Sequence, residues 1–399
     1  MNLLLIYLVF VFRFAKYFSF MRQITHIDLD SFFVNCTLLK FPELKGKPLI
    51  IGGNNNRGIV ASASAEAKKY GVQKSMPTKV AMQRCPDAII LKGDFDLYTK
   101  YSDLVNEILT EKTPLHERAG INEFYLDMSG MDRFHNTSKF TQELIKCIKS
   151  ETGLSILYGL SVNKTVAKIC TTHAKPVGGF EIPENQVQPF LDPHSIRQLP
   201  SVGTKTYKLL RRIRIKFIKH IRSLPSEAMD ELLGKQGINI WKKANGIDPS
   251  PVIPYSAEKS ISKDHTFEQD TQDMNLLKGT LLRLIEQLGF KLRKMNQMCA
   301  SITVKVRYTN FDTETMQKKI PYCSNDEIMM EVAFGLFKKL YHRRMLIRLI
   351  GVKCSHLVNG SHQIDLFTDN TKKIQLYQAM DILKNRYDNP IIVHRALSL

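Results

Sequence analysis

Apolar positions along the chain switch between a period of two and a period near 3.6, and the switches mark out two mixed regions. From Ile24 to Leu29 the residues are apolar and β-favouring, and after Ser31 the pattern turns helical through Leu39. Asp28 is thereby left at a strand end. Ile121 to Asp127 has the same character, with Phe124, Leu126 and Met128 on one side and Glu123, Tyr125 and Asp127 on the other. Between them Lys47 to Ile51 and Ile59 to Ala61 read as strands, and the small residues Ser62-Ala63-Ser64-Ala65 open a helix to Tyr70. Helices are predicted over Asp96 to Leu109, Lys139 to Thr152 and Lys164 to Lys175, and a strand over Ser155 to Leu160. These make a first α+β domain. Pro249, Pro251 and Pro254 then mark a linker. Beyond it the order is strand (Ser260 to Phe267), helix (Leu276 to Met295), strands (Ala300 to Tyr308, Thr315 to Pro321), helix (Asp326 to Tyr341) and strand (Leu346 to Leu357), a second, βαββαβ domain. A terminal helix is read over Lys372 to Tyr387.

The fold class is therefore α+β and multidomain, with 399 residues enough for about two to four domains. Lysine and arginine total 57 against 38 acidic residues, a formal charge of +19. That surplus favours a polyanionic partner, nucleic acid before an anionic membrane. The seven cysteines are scattered and never spaced C-x-x-C, which reads as a reduced cytoplasmic protein without a zinc site. Residues 1–20 are anomalous: Leu3 to Phe12 is uninterrupted apolar sequence, yet it is short for a bilayer and lacks a charged segment before it or a small-residue cleavage site. With Met21 standing just before the first strand, the reading is an upstream start without function, and no stable membrane association is expected.

The candidate chemistry begins at the strand ends. If the two carboxylate strands are neighbours, Asp28 and Glu123 converge, a donor set that suits Mg²⁺ completed by water and substrate phosphates. Small residues around Ser62 would let phosphate approach backbone N–H groups, with Lys68 one turn on; a packed helix start with a solvated lysine is the plainer reading. Lys164 and Lys175 mark the two ends of one helix, and Lys175 beside carboxylates would clamp a phosphate. From Leu199 to Arg222 the sequence is basic without an acidic residue, and Val202-Gly203-Thr204-Lys205, followed by Lys208, partly resembles a helix-hairpin-helix. Ser201 and Arg214 stand where that motif has glycine. In Ile302 to Tyr308 the apolar residues alternate with Thr303, Lys305 and Arg307, giving a strand with one packed face and one basic face. Gln363-Ile364-Asp365-Leu366-Phe367 is a weak pentapeptide by itself, able to anchor in an apolar groove or to pack within the chain.

Taken together, residues from about Met21 to Phe367 resemble in order and spacing the Y-family translesion DNA polymerases, their bacterial members most of all. The resemblance implies a right-hand architecture: palm 21–30 and 96–182, fingers 31–95, helix-hairpin-helix thumb 183–248, linker 249–258, βαββαβ little finger 259–357 and tail 358–399. It implies error-prone, template-directed transfer of a nucleotide from a dNTP to a primer 3′ end on damaged template. Two Mg²⁺ ions would serve, with Mn²⁺ as a substitute. Asp28, the carbonyl of Leu29, Glu123 and the residue at Asn122 match the metal ligands, Glu123 being the catalytic glutamate. Phe32 and Phe33 match the nucleotide pocket, with Phe33 the steric gate against a ribose 2′-OH. Ser62, Lys68 and Lys175 match triphosphate contacts. Gly203, Lys205, Lys208, Lys305 and Arg307 match DNA contacts, and Gln363, Leu366 and Phe367 a sliding-clamp hook.

Three positions depart from the pattern. Asn122 replaces a metal-bridging aspartate, Ala65 a tyrosine and Lys68 an arginine, all on the metal and triphosphate side. Two hypotheses follow: a low-activity or metal-adapted polymerase, and a non-catalytic accessory that binds primer–template DNA and the clamp. A generic basic DNA-binding protein leaves the carboxylates and the gate unexplained.

Overall fold

A computed structural model describes residues 22–53, 57–131, 136–175, 178–254, 258–360 and 371–386. The expectations for residues 1–20 and for Gln363, Leu366 and Phe367 lie outside these. The chain divides into two compact units, residues 1–256 and 257–399.

The first unit opens with β1 (Ile24–Leu29), α1 (Phe32–Lys40), β2 (Leu49–Gly52), β3 (Val60–Ala63), α2 (Ala65–Lys69), α3 (Thr78–Arg84), β4 (Ile89–Leu91) and α4 (Phe95–Lys112). It continues with β5 (His116–Arg118), β6 (Glu123–Asp127), α5 (Thr137–Thr152), β7 (Ile156–Ser161), α6 (Lys164–His173) and β8 (Gly179–Glu181). The helices α7 (Val187–Leu191), α8 (Thr204–Arg212), α9 (Ile218–Arg222), α10 (Ser226–Leu233) and α11 (Lys235–Ala244) complete it.

Its main sheet has the order β5-β6-β1-β7-β8, with β1 antiparallel to both neighbours. Period-two alternation gives each strand two different faces. Ile27, Leu29, Phe124, Leu126 and Met128 pack under α1, α4 and α5. The opposite face carries Ile24, His26 and Asp28 of β1 and Glu123 and Tyr125 of β6, and α6 lies on it, with Ile24, Tyr125 and Ala167 packed together. Gly159 on β7 permits that close approach, since a Cβ there would collide with the backbone of Ala167 and Thr171.

A smaller sheet, β3-β2-β4, carries its own core of Ile50, Val60, Ala67, Val72 and Ala81. Here one expectation fails. Ser62 does not open a helix: β3 extends through Ala63 by pairing Ser62 with Ile51, and the helix begins at Ala65, capped by Ser64 Oγ accepting the Ala67 N–H at 3.3 Å.

The second unit runs β9 (Ser260–Thr271), α12 (Met274–Lys294), β10 (Gln297–Tyr308), β11 (Thr313–Cys323), α13 (Asp326–Leu340) and β12 (Ile347–Asn359), the expected βαββαβ order, in an antiparallel sheet β11-β10-β12-β9. Ile302, Val304, Val306 and Tyr308 are buried under the two helices. A last helix, α14 (Thr371–Arg386), is tied to this unit where Arg293 meets Asp381 at 2.7 Å and Tyr377 Oη meets Asn325 at 3.0 Å. All seven cysteines are free, and no helix among the described residues is long and apolar enough to cross a membrane.

Candidate active site

The strand register decides the arrangement. Asp28 of β1 stands directly opposite Glu123 of β6, on the sheet face that α6 covers. Asn122, one residue before β6, donates from Nδ2 to Asp28 Oδ1 at 2.7 Å, and its backbone carbonyl accepts the Leu29 N–H at 2.9 Å. Burial and the facing Glu123 push the Asp28 carboxyl up to about 6.

Glu123 behaves in the opposite way. Its carboxyl is held down to about 2, with His26 and Lys168 the groups beside it. His26 Nε2 is 3.9 Å from Glu123 Oε2, too far for a hydrogen bond, and burial keeps that ring on the neutral side. Lys168 Nζ lies 2.6 Å from the same oxygen and carries the positive charge. His26 is itself fixed by Thr171 Oγ1 at 2.8 Å from Nδ1.

One stripe of α6 supplies these partners. Lys164 pairs with Glu117 at 2.5 Å, Lys168 with Glu123 at 2.6 Å and Thr171 with His26 at 2.8 Å, while Lys175, just past the helix end, pairs with Asp30 at 2.7 Å. Asp30 joins a second group at the strand mouth. Ser31 Oγ lies 3.4 Å from Asp30 Oδ2 and accepts from Lys68 Nζ at 3.1 Å, so Lys175 reaches Asp30 directly and Lys68 reaches it through Ser31. Ser31 takes the left-handed backbone needed to turn from strand to helix there, with φ of 45°.

The aromatic residues divide. Phe33 is half-buried, 4.6 Å from the Tyr98 ring and 6.0 Å from Phe95. Phe32, expected in the nucleotide pocket, is only 4% exposed and belongs to the core, because successive helical positions point about 100° apart. Among the described residues no three His, Cys, Asp or Glu side chains gather as a preformed metal cage. Paired carboxylates suffice for an ion that keeps its waters and takes further ligands from a substrate.

Family models match this chain twice: the impB/mucB/samB family over residues 27–172, and the C-terminal domain of the same family over residues 258–366. DNA polymerase IV of Dehalococcoides mccartyi strain CBDB1 is 33% identical over 370 residues, covering 92% of this chain and 95% of the relative. DNA polymerase IV of Clostridium kluyveri is 32% identical over 387 residues, covering 93% and 97%. A solved Y-family DNA polymerase chimera of Dbh and Dpo4 superposes with a TM-score of 0.78 at 26% identity, over 85% of this chain and all of that one. The chain belongs to the Y-family of DNA polymerases.

Its fold is thus that of a DNA-directed DNA polymerase, and the remaining expected residues of this Y-family chain fall on two basic surfaces. Gly203 caps α8, Lys205 and Lys208 are exposed on it with Arg211 and Arg212, and Arg214 is exposed just past its end. Ser201 and Arg214 keep left-handed backbone at φ of 78° and 64°, so the hairpin ends retain a glycine-like shape without glycine. In the second unit Lys305 and Arg307 lie on the open face of β10 as expected, but neither is unpartnered. Lys305 pairs with Asp264 across β12, where Gly351 leaves room for the crossing, and Arg307 Nε donates to Thr313 Oγ1 at 2.9 Å. Lys353, whose register partners are Thr303 and Ser262, adds an exposed charge that the sequence reading passed over. His26, Asp30 and Lys168 were missed as well. For Lys168 a signal existed, since it stands one turn after Lys164 on the stripe that ends at Lys175.

Proposed function

We propose that this chain performs error-prone, template-directed DNA synthesis across damaged template, transferring a nucleotide from a dNTP to a primer 3′ end, at a rate depressed by Asn122. The observation that carries this reading is the in-register pair Asp28 and Glu123 on a solvent-accessible strand mouth. The donor chemistry fits a hard divalent ion: two carboxylates face each other, and burial together with the Glu123 charge pushes Asp28 up to about 6. Asp28, Glu123 and the Leu29 carbonyl would hold Mg²⁺, or Mn²⁺ in its place. Such an ion supplies Lewis-acid stabilisation of the triphosphate and of the attacking oxygen.

The rest is the work of side chains. Glu123, kept ionised, faces the primer terminus; Phe33, backed by Tyr98, bars a 2′-hydroxyl; Ser62, Lys68 and Lys175 receive the triphosphate. Palm 21–30 and 96–182, fingers 31–95 and thumb 183–248 fit within the first unit, and the little finger 259–357 within the second. Gly203, Lys205, Lys208, Lys305 and Arg307 hold the phosphate backbone of the primer–template. Gln363, Leu366 and Phe367 hook a sliding clamp; replacing Leu366 and Phe367 by alanine should abolish clamp association in a pull-down, and unchanged capture removes that assignment.

Asn122 weakens the two-ion mechanism. A unit charge pair at about 4 Å and an effective dielectric of about 20 is worth roughly 4 kcal/mol, so the missing charge costs up to about three orders of magnitude in rate. Primer extension by this chain and by Asn122→Asp, with Mg²⁺ and with Mn²⁺, tests it. Extension should rise about 10²- to 10³-fold on reversion. Equal rates would refute the role given to Asn122. The Asn122 amide bound to Asp28 favours a second reading, a non-catalytic accessory on primer–template DNA and clamp. That reading gains if neither protein extends while both bind primer–template.

A further inference from the structure

Glu123 and Asp28 face each other in register, but only Glu123 is in direct contact with an ammonium; Lys175, paired with Asp30, acts on Asp28 from farther off. Lys168 Nζ is 2.6 Å from Glu123 Oε2, while the nearest polar partner of Asp28 is the neutral amide of Asn122 at 2.7 Å. The lysine is not loosely placed. It comes from α6, which Gly159 lets down onto the sheet, and the same helix is pinned on either side by Lys164 on Glu117 and Thr171 on His26. The other groups facing Glu123 are His26, at 3.9 Å with its Nε2 unpaired, and Asp28. Among the described residues Lys168 is therefore the one lysine or arginine in ion-pair contact with either carboxylate of the pair.

We propose that Lys168 is a built-in counter-cation that competes with the divalent ion for Glu123, so that this lysine sets the affinity of the centre for metal. It neutralises Glu123 and holds one of its oxygens, and an incoming dication would have to share that oxygen or displace the ammonium. Lys168 is on this view a positioning residue: it touches no reactant and acts through Glu123. The inference rests on the metal-binding reading of the Asp28 and Glu123 pair, and its test needs no turnover.

Mn²⁺ alone is titrated into the full chain and followed by loss of the free-ion electron paramagnetic resonance signal, with Asp28→Asn as the control that identifies the site. Removing one positive charge from a partly solvent-screened position should tighten Mn²⁺ binding about tenfold in Lys168→Met. Lys168→Arg, which keeps the charge, should stay within about threefold of the unmodified chain. A purely structural salt bridge predicts the reverse, since loosening Glu123 weakens binding. Lys168→Gln, with circular dichroism and metal-free primer–template binding as folding checks, stands in if Lys168→Met does not fold. Affinity equal to or weaker than that of the unmodified chain in the folded Lys168 variant, with Asp28→Asn still abolishing binding, overturns the proposal. Absence of site binding in every variant instead overturns the metal reading beneath it.

Discussion

Two corners of the first unit meet at the end of β1 and are held by opposite kinds of force. In the carboxylate corner, Asp28, Asn122 and Glu123 are held by single polar contacts of 2.6 to 2.7 Å, and Glu123 is 31% exposed. In the aromatic corner, Phe32, Phe33, Phe95 and Tyr98 hold one another through ring centroids 4.6 to 6.1 Å apart, and Tyr98 is 1% exposed. The first corner accepts an exchange of like shape: an amide occupies a carboxylate's place, and its N–H satisfies the carboxylate that a second acid would repel. The second resists exchange at its buried rings, Phe32 and Tyr98, where every ring atom removed leaves a void. On the proposed roles, exchange at the first corner should alter chemistry without disturbing the fold, while at the second substrate choice should be tied to stability.

The comparison can be broken in order of expected effect. Asn122→Asp bears on the first corner alone and should change rate by the orders of magnitude given above while thermal stability falls only slightly. A large loss of stability would show that the polar corner is structural after all. Phe33→Val bears on the second: discrimination against a ribonucleotide, measured as the ratio of kcat/KM for dNTP and NTP, should fall at least about tenfold. Because Phe33 packs on Tyr98, the same change should cost about 1 to 2 kcal/mol of stability. Unchanged discrimination would make Phe33 a packing residue only.

The smallest effect is in pH. The Asp28 carboxyl sits near 6 in the folded chain against an ordinary 3.8, so its contribution to stability is fully present below about 3.8 and is lost as pH rises through about 6. Glu123, near 2 against 4.5, contributes above about 4.5 and loses that only as pH falls through about 2. Asp28→Asn should accordingly raise the melting temperature at pH 7.5 relative to the unmodified chain, by the equivalent of at most about 2 kcal/mol after allowance for solvent exposure. At about pH 3.5 the two should melt together. Equal differences at both pH values would mean that Asp28 is not the titrating group.

What the sequence disclosed follows the same division of forces. An apolar run identified β1, and apolar patterning β6, β10, β12 and the βαββαβ order; that Asp28 faces Glu123 was conditional on β1 and β6 being neighbours, which the strand register supplies. The three-residue strands β4, β5 and β8 and the short helix α3 were not read, because so few residues carry no period of their own. Phe32 and Phe33 are adjacent in sequence and differ only in which way a helix turns them. The partners of the site are the least legible: His26, Asp30 and Lys168 gain their roles from pairings across 45 to 145 residues. The hairpin around α8 gives the converse case, a backbone conformation kept at Ser201 and Arg214 after the residues that make it easy are gone.

The Asn122 to Asp28 hydrogen bond has a consequence for how this chain is inherited. An amide and an acid of one shape lie a single base change apart in a codon, so a lineage can silence and restore such a centre while the scaffold passes down intact.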